Sequence, residues 1–245
     1  MTKDLLISTL SFALILCASM SIQAQAQDCS AQDRACILKE IEQTSKQIEK
    51  TSWRDQTYRE LSKTKAFEGD MDGAIALIGK IETPDTQAMT IRGIGMAAAD
   101  LKLAKDDYEA LFSKLRAQTE TITHRPSYAI ALTYIAMAQA FAGDNDAAWK
   151  TANDMKNDAL RHKAFGETAE IQAENGDVDA ALKSIGFIDS AAFRNKAYTL
   201  VSKILAGRKE FDGAMQAAMK IENAYKKAGA LQYILDQQKP RDVKK

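Results

Sequence analysis

Apolar residues recur along this chain at two nested spacings. Within a segment they fall three or four residues apart, the spacing of one helix face. Whole segments then recur at a fixed longer interval. Ile48 and Ile81 stand 33 residues apart, as do Ile122, Met155, Ile188 and Ile221 in succession, and the two series join across one interval of 41, a period plus eight inserted residues. The stretch 176–231 shows the cycle most plainly: Gly-Asp-Val-Asp-Ala-Ala-Leu, an apolar-spaced run to Ile188, a second run through Arg194, Tyr198 and Val201, and a restart at Phe211-Asp-Gly-Ala-Met. Self-similarity at such a period marks a helical repeat array, whose units bury their apolar faces against one another.

The spacing predicts helices over 35–49, 53–67 and 71–81, then from Thr83-Pro84-Asp85 to about 101, and over 106–118, 126–142, 146–155, 159–174, 178–188, 192–206, 211–221 and 224–237. That is about twelve helices in six antiparallel hairpins. Pro126 sits at a helix start, where its missing N–H costs nothing. Gly69 and Gly143 follow helix ends, where glycine takes the left-handed conformation cheaply. Small residues recur at matched places, Ala74, Ala110, Ala148, Ala181 and Ala214 in one helix of the unit and Ala66, Ala99, Ala140, Ala173 and Ala206 in the other, and they allow close helix stacking. The eight extra residues lie partly after Leu101 and partly before Ile122, so a bend or altered stacking angle is expected there. Trp53, Phe67, Phe165 and Tyr198 fall on apolar stripes and are expected in the core.

Composition changes this picture at two places. The 245 residues carry 33 basic and 33 acidic side chains, so no global charge favours nucleic acid. At the amino terminus, a mostly apolar run over 5–20 follows Lys3 and leads to Ala24-Gln25-Ala26. This is the layout of a secretory signal peptide over 1–26, cut after Ala26, and the run is short for a membrane span of about 20 residues. Periplasmic or secreted localisation follows, with no stable membrane insertion after cleavage. The mature chain then holds two cysteines, Cys29 and Cys36, and an exported even pair invites a disulfide. On one continuous helix their Cα atoms would lie about 10.5 Å apart, beyond the bridging distance of about 7 Å. A bridge therefore requires a bend near 30–33. The basic stretch 239–245 is expected to be a disordered tail beyond an array spanning 27–238.

The repeat has a recognisable signature. A Gly-Asp pair, an often apolar residue and an alanine five positions after the glycine resemble the tetratricopeptide repeat, most clearly at 69–74, 143–148 and 176–181, with Leu132, Ile135 and Ala136 upstream. Agreement is weaker around 105–110 and 208–214. The period is 33 where the family has 34, and the family's first-helix aromatic and unit-end proline are missing. The resemblance implies an all-α chain, a right-handed α-solenoid of antiparallel hairpins whose first helices line a partner-binding groove. Carried over, that groove holds Arg59 and Lys63, Met89, Arg92 and Met96, Ile130, Thr133 and Met137, Lys163 and Glu170, and Lys196, Thr199 and Lys203. Its middle is apolar and its flanks are basic, which suits an acidic protein or peptide segment carrying a few hydrophobic side chains.

Other candidate chemistry reads as structural. The pairs Asp70/Asp72, Asp144/Asp146 and Asp177/Asp179 lack the further ligands of a calcium loop and are placed to cap helices. Arg54, Arg161, Arg194 and Lys227 share one repeat phase, which fits pairing between units or, alternatively, a basic binding ladder. His124 and His162 have no partner at metal-ligand spacing, and Gly93-Ile-Gly95 lacks the strand and third glycine of a nucleotide loop. No cofactor, metal or catalytic set is expected. The expectation is a non-catalytic protein-binding module of the bacterial envelope, with a structural or assembly subunit binding through its ends or outer face as the alternative.

Overall fold

A computed structural model describes residues 29–238 of the chain. The export signal expected over 1–26 and the tail expected over 239–245 lie outside the described residues. Within them all regular structure is helical: α1 (Arg34–Ser45), α2 (Thr51–Phe67), α3 (Met71–Ile78), α4 (Pro84–Asp100), α5 (Lys105–Thr119), α6 (Arg125–Phe141), α7 (Asn145–Asn153), α8 (Asp158–Glu174), α9 (Val178–Gly186), α10 (Ala191–Gly207), α11 (Phe211–Met219) and α12 (Ala224–Gln238). Among these residues no helix is long and apolar enough to cross a membrane.

Long and short helices alternate for reasons that repeat. Helices α2, α4, α6, α8 and α10 each run 17 residues. At the turn after α2, α6 and α8, Gly69, Gly143 and Gly176 take positive φ, and Asp70, Asp144 and Asp177 then accept the backbone N–H of Gly73, Ala147 and Ala180. The first aspartate of each pair is thus the N-cap. Lysine stands in place of glycine after the other two long helices, and Lys102 and Lys209 hold φ of 50° and 67°. A β-carbon in that conformation costs roughly 1–2 kcal/mol.

Short helices stop sooner than the apolar spacing suggests. The marker residues Ile81, Ile122, Met155, Ile188 and Ile221 sit just beyond the helices, each N–H bonded to the carbonyl three residues back. All five are buried. The helix tightens over its last turn, and the marker side chain plugs the bottom of the hairpin while the backbone extends into the next long helix. Ile48 ends α1 in the same way, so that helix finishes at Ser45 and not at Glu49.

Each long helix lies against the next, α2 on α4, α4 on α6, α6 on α8, α8 on α10 and α10 on α12. Helices α3, α7, α9 and α11 fold back along the long helix before them, and neighbouring short helices meet mainly through side chains, as where the Trp149 indole of α7 donates to the Ser184 hydroxyl of α9 at 2.7 Å and Val178 of α9 lies against Gly213 of α11. Small residues make the long-helix contact close: a Cβ built on Gly95 of α4 would lie 2.6 Å from the Cβ of Ala138 on α6. Phe165 and Tyr198 are buried in the larger core cluster. Trp53 and Phe67 are not core residues; they are 63% and 45% exposed. They stand in the first turn and at the last residue of α2, where lysines lie over both rings; Phe193 and Phe141, at the same places on α10 and α6, pack on core clusters. The ammonium of Lys50 lies 4.3 Å from the Trp53 ring and that of Lys63 lies 5.9 Å from Phe67.

The eight inserted residues are nearly all helix. Helix α5 has 15 residues where α3 has 8, and the connection before it, 101–104, is one residue longer than 68–70. Ala110 is exposed and does not serve stacking; Tyr108, Leu111, Phe112 and Leu115 form the buried face. These large side chains hold α5 away from α4, since helix separation follows the size of the contact residues. The altered stacking expected there therefore has a side-chain cause.

At the amino-terminal end a disulfide joins Cys29 to Cys36, with Cα atoms 5.6 Å apart. Cys29 precedes α1 and Cys36 lies in its first turn, with the chain bent between them by the Asp33 N–H to Ser30 carbonyl bond of 2.9 Å.

Candidate partner-binding surface

The long helices carry one row of residues that stays outside the core. Following it from α2 to α10 gives Arg59 and Lys63, then Met89, Arg92 and Met96, then Ile130, Tyr134 and Met137, then Lys163, Glu167 and Glu170, then Lys196, Leu200 and Lys203. All of these are exposed or half-buried. Thr133 was expected in the row but is buried, its hydroxyl bonded 3.0 Å to the Ala129 carbonyl. The residue after it, Tyr134, takes the surface place. The buried face of α6 keeps the repeat positions that are buried in α4 and α8, with Thr133 added to it, and Tyr134 stands at the repeat position of Glu167 and Leu200. Thr199 is half-buried, its hydroxyl turned 2.7 Å to the Asn195 carbonyl.

Several members of the row are already engaged. Arg92 stacks over the Tyr134 ring at 5.4 Å, and the Tyr134 hydroxyl lies 3.4 Å from the Met89 sulfur, which ties α4 to α6 across the surface. Met137 packs on the core around Ala140, Ala148 and Ile171, and Ile130 on the cluster containing Ile135. Arg59 lies 3.4 Å from Glu60, Lys163 lies 3.5 Å from Glu167, and Lys203 stands 5.6 Å from the Tyr233 ring.

Between α8 and α10 the row deepens into a cleft of about 200 Å³ lined by His162, Lys163, Glu167, Glu170, Phe193 and Lys196. Burial pushes the Glu170 carboxyl above its ordinary range, the neighbouring Glu167 adds to this, and Lys196 partly offsets it. The flank expected to be basic is therefore mixed in charge here. His162 is buried, its Nε2 has no hydrogen-bond partner, and the nearest acid, Asp189, stands 3.7 Å away. Among the described residues no group of three or more His, Cys, Asp or Glu side chains is placed to hold a metal ion.

The phased arginines lie elsewhere and close hairpins. Arg54, Arg161 and Arg194 each donate to the carbonyl of the marker residue six positions earlier, at 3.1, 3.1 and 2.9 Å. Arg54 and Arg194 also reach Glu82 and Glu222 of the following unit, at 2.6 and 2.9 Å, while Arg161 pairs with Asp158 at 2.8 Å. A cation at a helix carboxyl end satisfies carbonyls that the helix leaves open. Asp55 and Asn195 reinforce the same junctions by accepting N–H groups of Glu82 and Thr83, and of Glu222 and Asn223.

Comparison of the chain with known protein families, curated proteins and solved structures finds no match.

Proposed function

We propose that this chain is an exported protein- or peptide-binding array of the bacterial envelope, a right-handed α-solenoid of six tetratricopeptide-like hairpins that catalyses no reaction. The observation that carries the reading is the uninterrupted surface row on the long helices, held by side chains outside the core from Arg59 to Lys203. Because the long helices pack backbone to backbone while the short helices meet mainly through side chains, the array would curve with that row on its inner face. A partner segment lying along it would place acidic side chains by Arg59, Lys63 and Arg92 and apolar ones over Met89, Tyr134 and Met96. By the cleft at Glu167 and Glu170 it would present a cation. Methionine supports such a surface because its unbranched side chain adapts to its contacts. The Cys29–Cys36 disulfide fits an oxidising compartment.

The test is capture of partners from envelope extract by the wild-type chain and by a variant carrying Arg59→Glu, Arg92→Glu and Lys196→Glu. A partner held by the wild type and lost by the still-helical variant supports the groove. A partner that survives the charge reversals removes the groove and directs attention to the ends and the outer face.

A further inference from the structure

The described array opens on a short helix and closes on a long one. Helix α1 packs on α2 as α3 packs on α4, yet α1 follows no long helix among the described residues. The place such a helix would occupy is an open cleft of about 500 Å³ between α1 and α2, lined by Ile37, Leu38, Ile41 and Leu61 together with Arg34 and Glu60. At the other end, α12 packs on α10 and α11, and among the described residues no short helix folds back on it. Among the described residues, each end of the array lacks what the other presents. We infer that two copies of this chain associate head to tail, α12 of one entering the α1–α2 cleft of the next and completing a hairpin between molecules.

The repeat register supports this residue by residue. Inside the chain, the Ser62 hydroxyl donates to the Ala74 carbonyl at 2.9 Å and the Ser202 hydroxyl to the Ala214 carbonyl at 3.0 Å, so these repeat positions face each other across a hairpin. Leu235 lies 33 residues after Ser202, and Ile41 lies 33 before Ala74. Both alanines are fully buried, whereas Ile41 is 37% and Leu235 57% exposed. The two end residues are therefore apolar, matched in position and uncovered in the single chain. A second pair agrees. Thr151 donates to Gln139 at 2.8 Å and Ser184 to Gln172 at 2.6 Å across two hairpins, and Thr44 and Gln238 hold those same repeat positions at the two ends of the described array. The Leu–Ile pair is larger than the Ser–Ala pairs inside, so the intermolecular hairpin sits wider, as α5 does over α4. Such a contact joins two different surfaces, and it propagates into a filament or closes into a ring according to the rotation between copies.

Sedimentation velocity on the full chain, purified as an exporting host processes it, tests the inference. The wild type should sediment faster as concentration rises from roughly 1 µM to roughly 1 mM. Ile41→Arg blocks the head and Leu235→Arg blocks the tail, so each variant alone should remain monomeric. Their equimolar mixture should give a 1:1 dimer and nothing longer, since one keeps a working tail and the other a working head. Both substitutions are at exposed positions, and far-ultraviolet circular dichroism checks that the helices remain. Thr44→Ala and Gln238→Ala form a milder pair, each expected to weaken association by about 2- to 10-fold. A wild type that stays monomeric throughout, as when the cleft is filled from elsewhere in the chain, overturns the inference. So do single variants that assemble as well as the wild type.

Discussion

Gly95 provides the sharpest test of how the long helices are held together. Replacing a mid-helix glycine by alanine ordinarily stabilises a helix by about 1 kcal/mol. At Gly95 the new methyl would lie 2.6 Å from the Ala138 Cβ, roughly 1 Å inside the usual carbon contact. Neither carbon can rotate away, because each is fixed to its backbone. Relief requires α4 and α6 to separate along an interface made of small residues, and such overpacking costs about 1–3 kcal/mol. With both atoms rigid the upper part of that range applies, and Gly95→Ala should destabilise by about 1–2 kcal/mol net, a melting shift of roughly 2–8 °C. Gly93 and Gly166 lie on the same kind of helix, and there the built Cβ meets its nearest neighbour at 3.8 and 3.9 Å. Alanine at either position should stabilise by about 0.5–1 kcal/mol. Urea unfolding at constant m-value measures all three, with Gly95→Ala/Ala138→Gly completing a double-mutant cycle that recovers part of the loss. Gly95→Ala found as stable as Gly93→Ala would refute the close-contact account of α4 and α6.

Other consequences follow from the same geometry. Lys102→Gly and Lys209→Gly relieve left-handed lysines and should each raise stability by about 0.5–1 kcal/mol, read as an upward shift in the urea midpoint. Asp177→Ala removes the N-cap of α9 and should lower stability by about 1 kcal/mol. Reducing the Cys29–Cys36 disulfide removes a closure worth about 2.5 kcal/mol on the chain-entropy model, so hydrogen exchange should quicken in α1 and remain unchanged in α8 to α10. The Glu170 carboxyl titrates above its unfolded value, so the native state holds its proton more tightly and loses stability as pH rises through that window. Glu170→Gln should accordingly raise the melting temperature at neutral pH, and the gain should disappear in acid once both states of the wild type are protonated.

Different parts of the architecture were legible to different degrees. The 33-residue recurrence of Ile48, Ile81 and their successors located every helix, because each unit reuses one solution to burying an apolar face. Capping was equally visible, since aspartate before an apolar helix acts through its own backbone neighbours. The exact helix ends were not: the marker isoleucines share the helical spacing but sit in the turn beyond it. Ala110 and Thr133 were misplaced for a related reason. Periodicity gives the mean direction of a stripe; at α5 the added length puts Leu115, not Ala110, at the repeat position of Ala74, and at α6 Thr133 joins a buried face that otherwise repeats that of α4 and α8. Trp53 failed differently: at the same repeat position Phe193 packs on His162 of the preceding long helix, and no long helix precedes α2 among the described residues.

By itself the sequence determined the helical class, the period, the insertion, the capping residues and the cysteine pair that becomes a disulfide. All of these depend on chemistry within one unit or on the repetition of that unit along the chain. Only the tertiary structure decided that Tyr134 bridges Met89 and Arg92, that Glu170 is desolvated beside Lys196, and that Ile41 and Leu235 are uncovered at opposite ends. Each of those facts depends on which side chains distant segments bring within a few ångströms, and helix spacing alone carries no information about that distance.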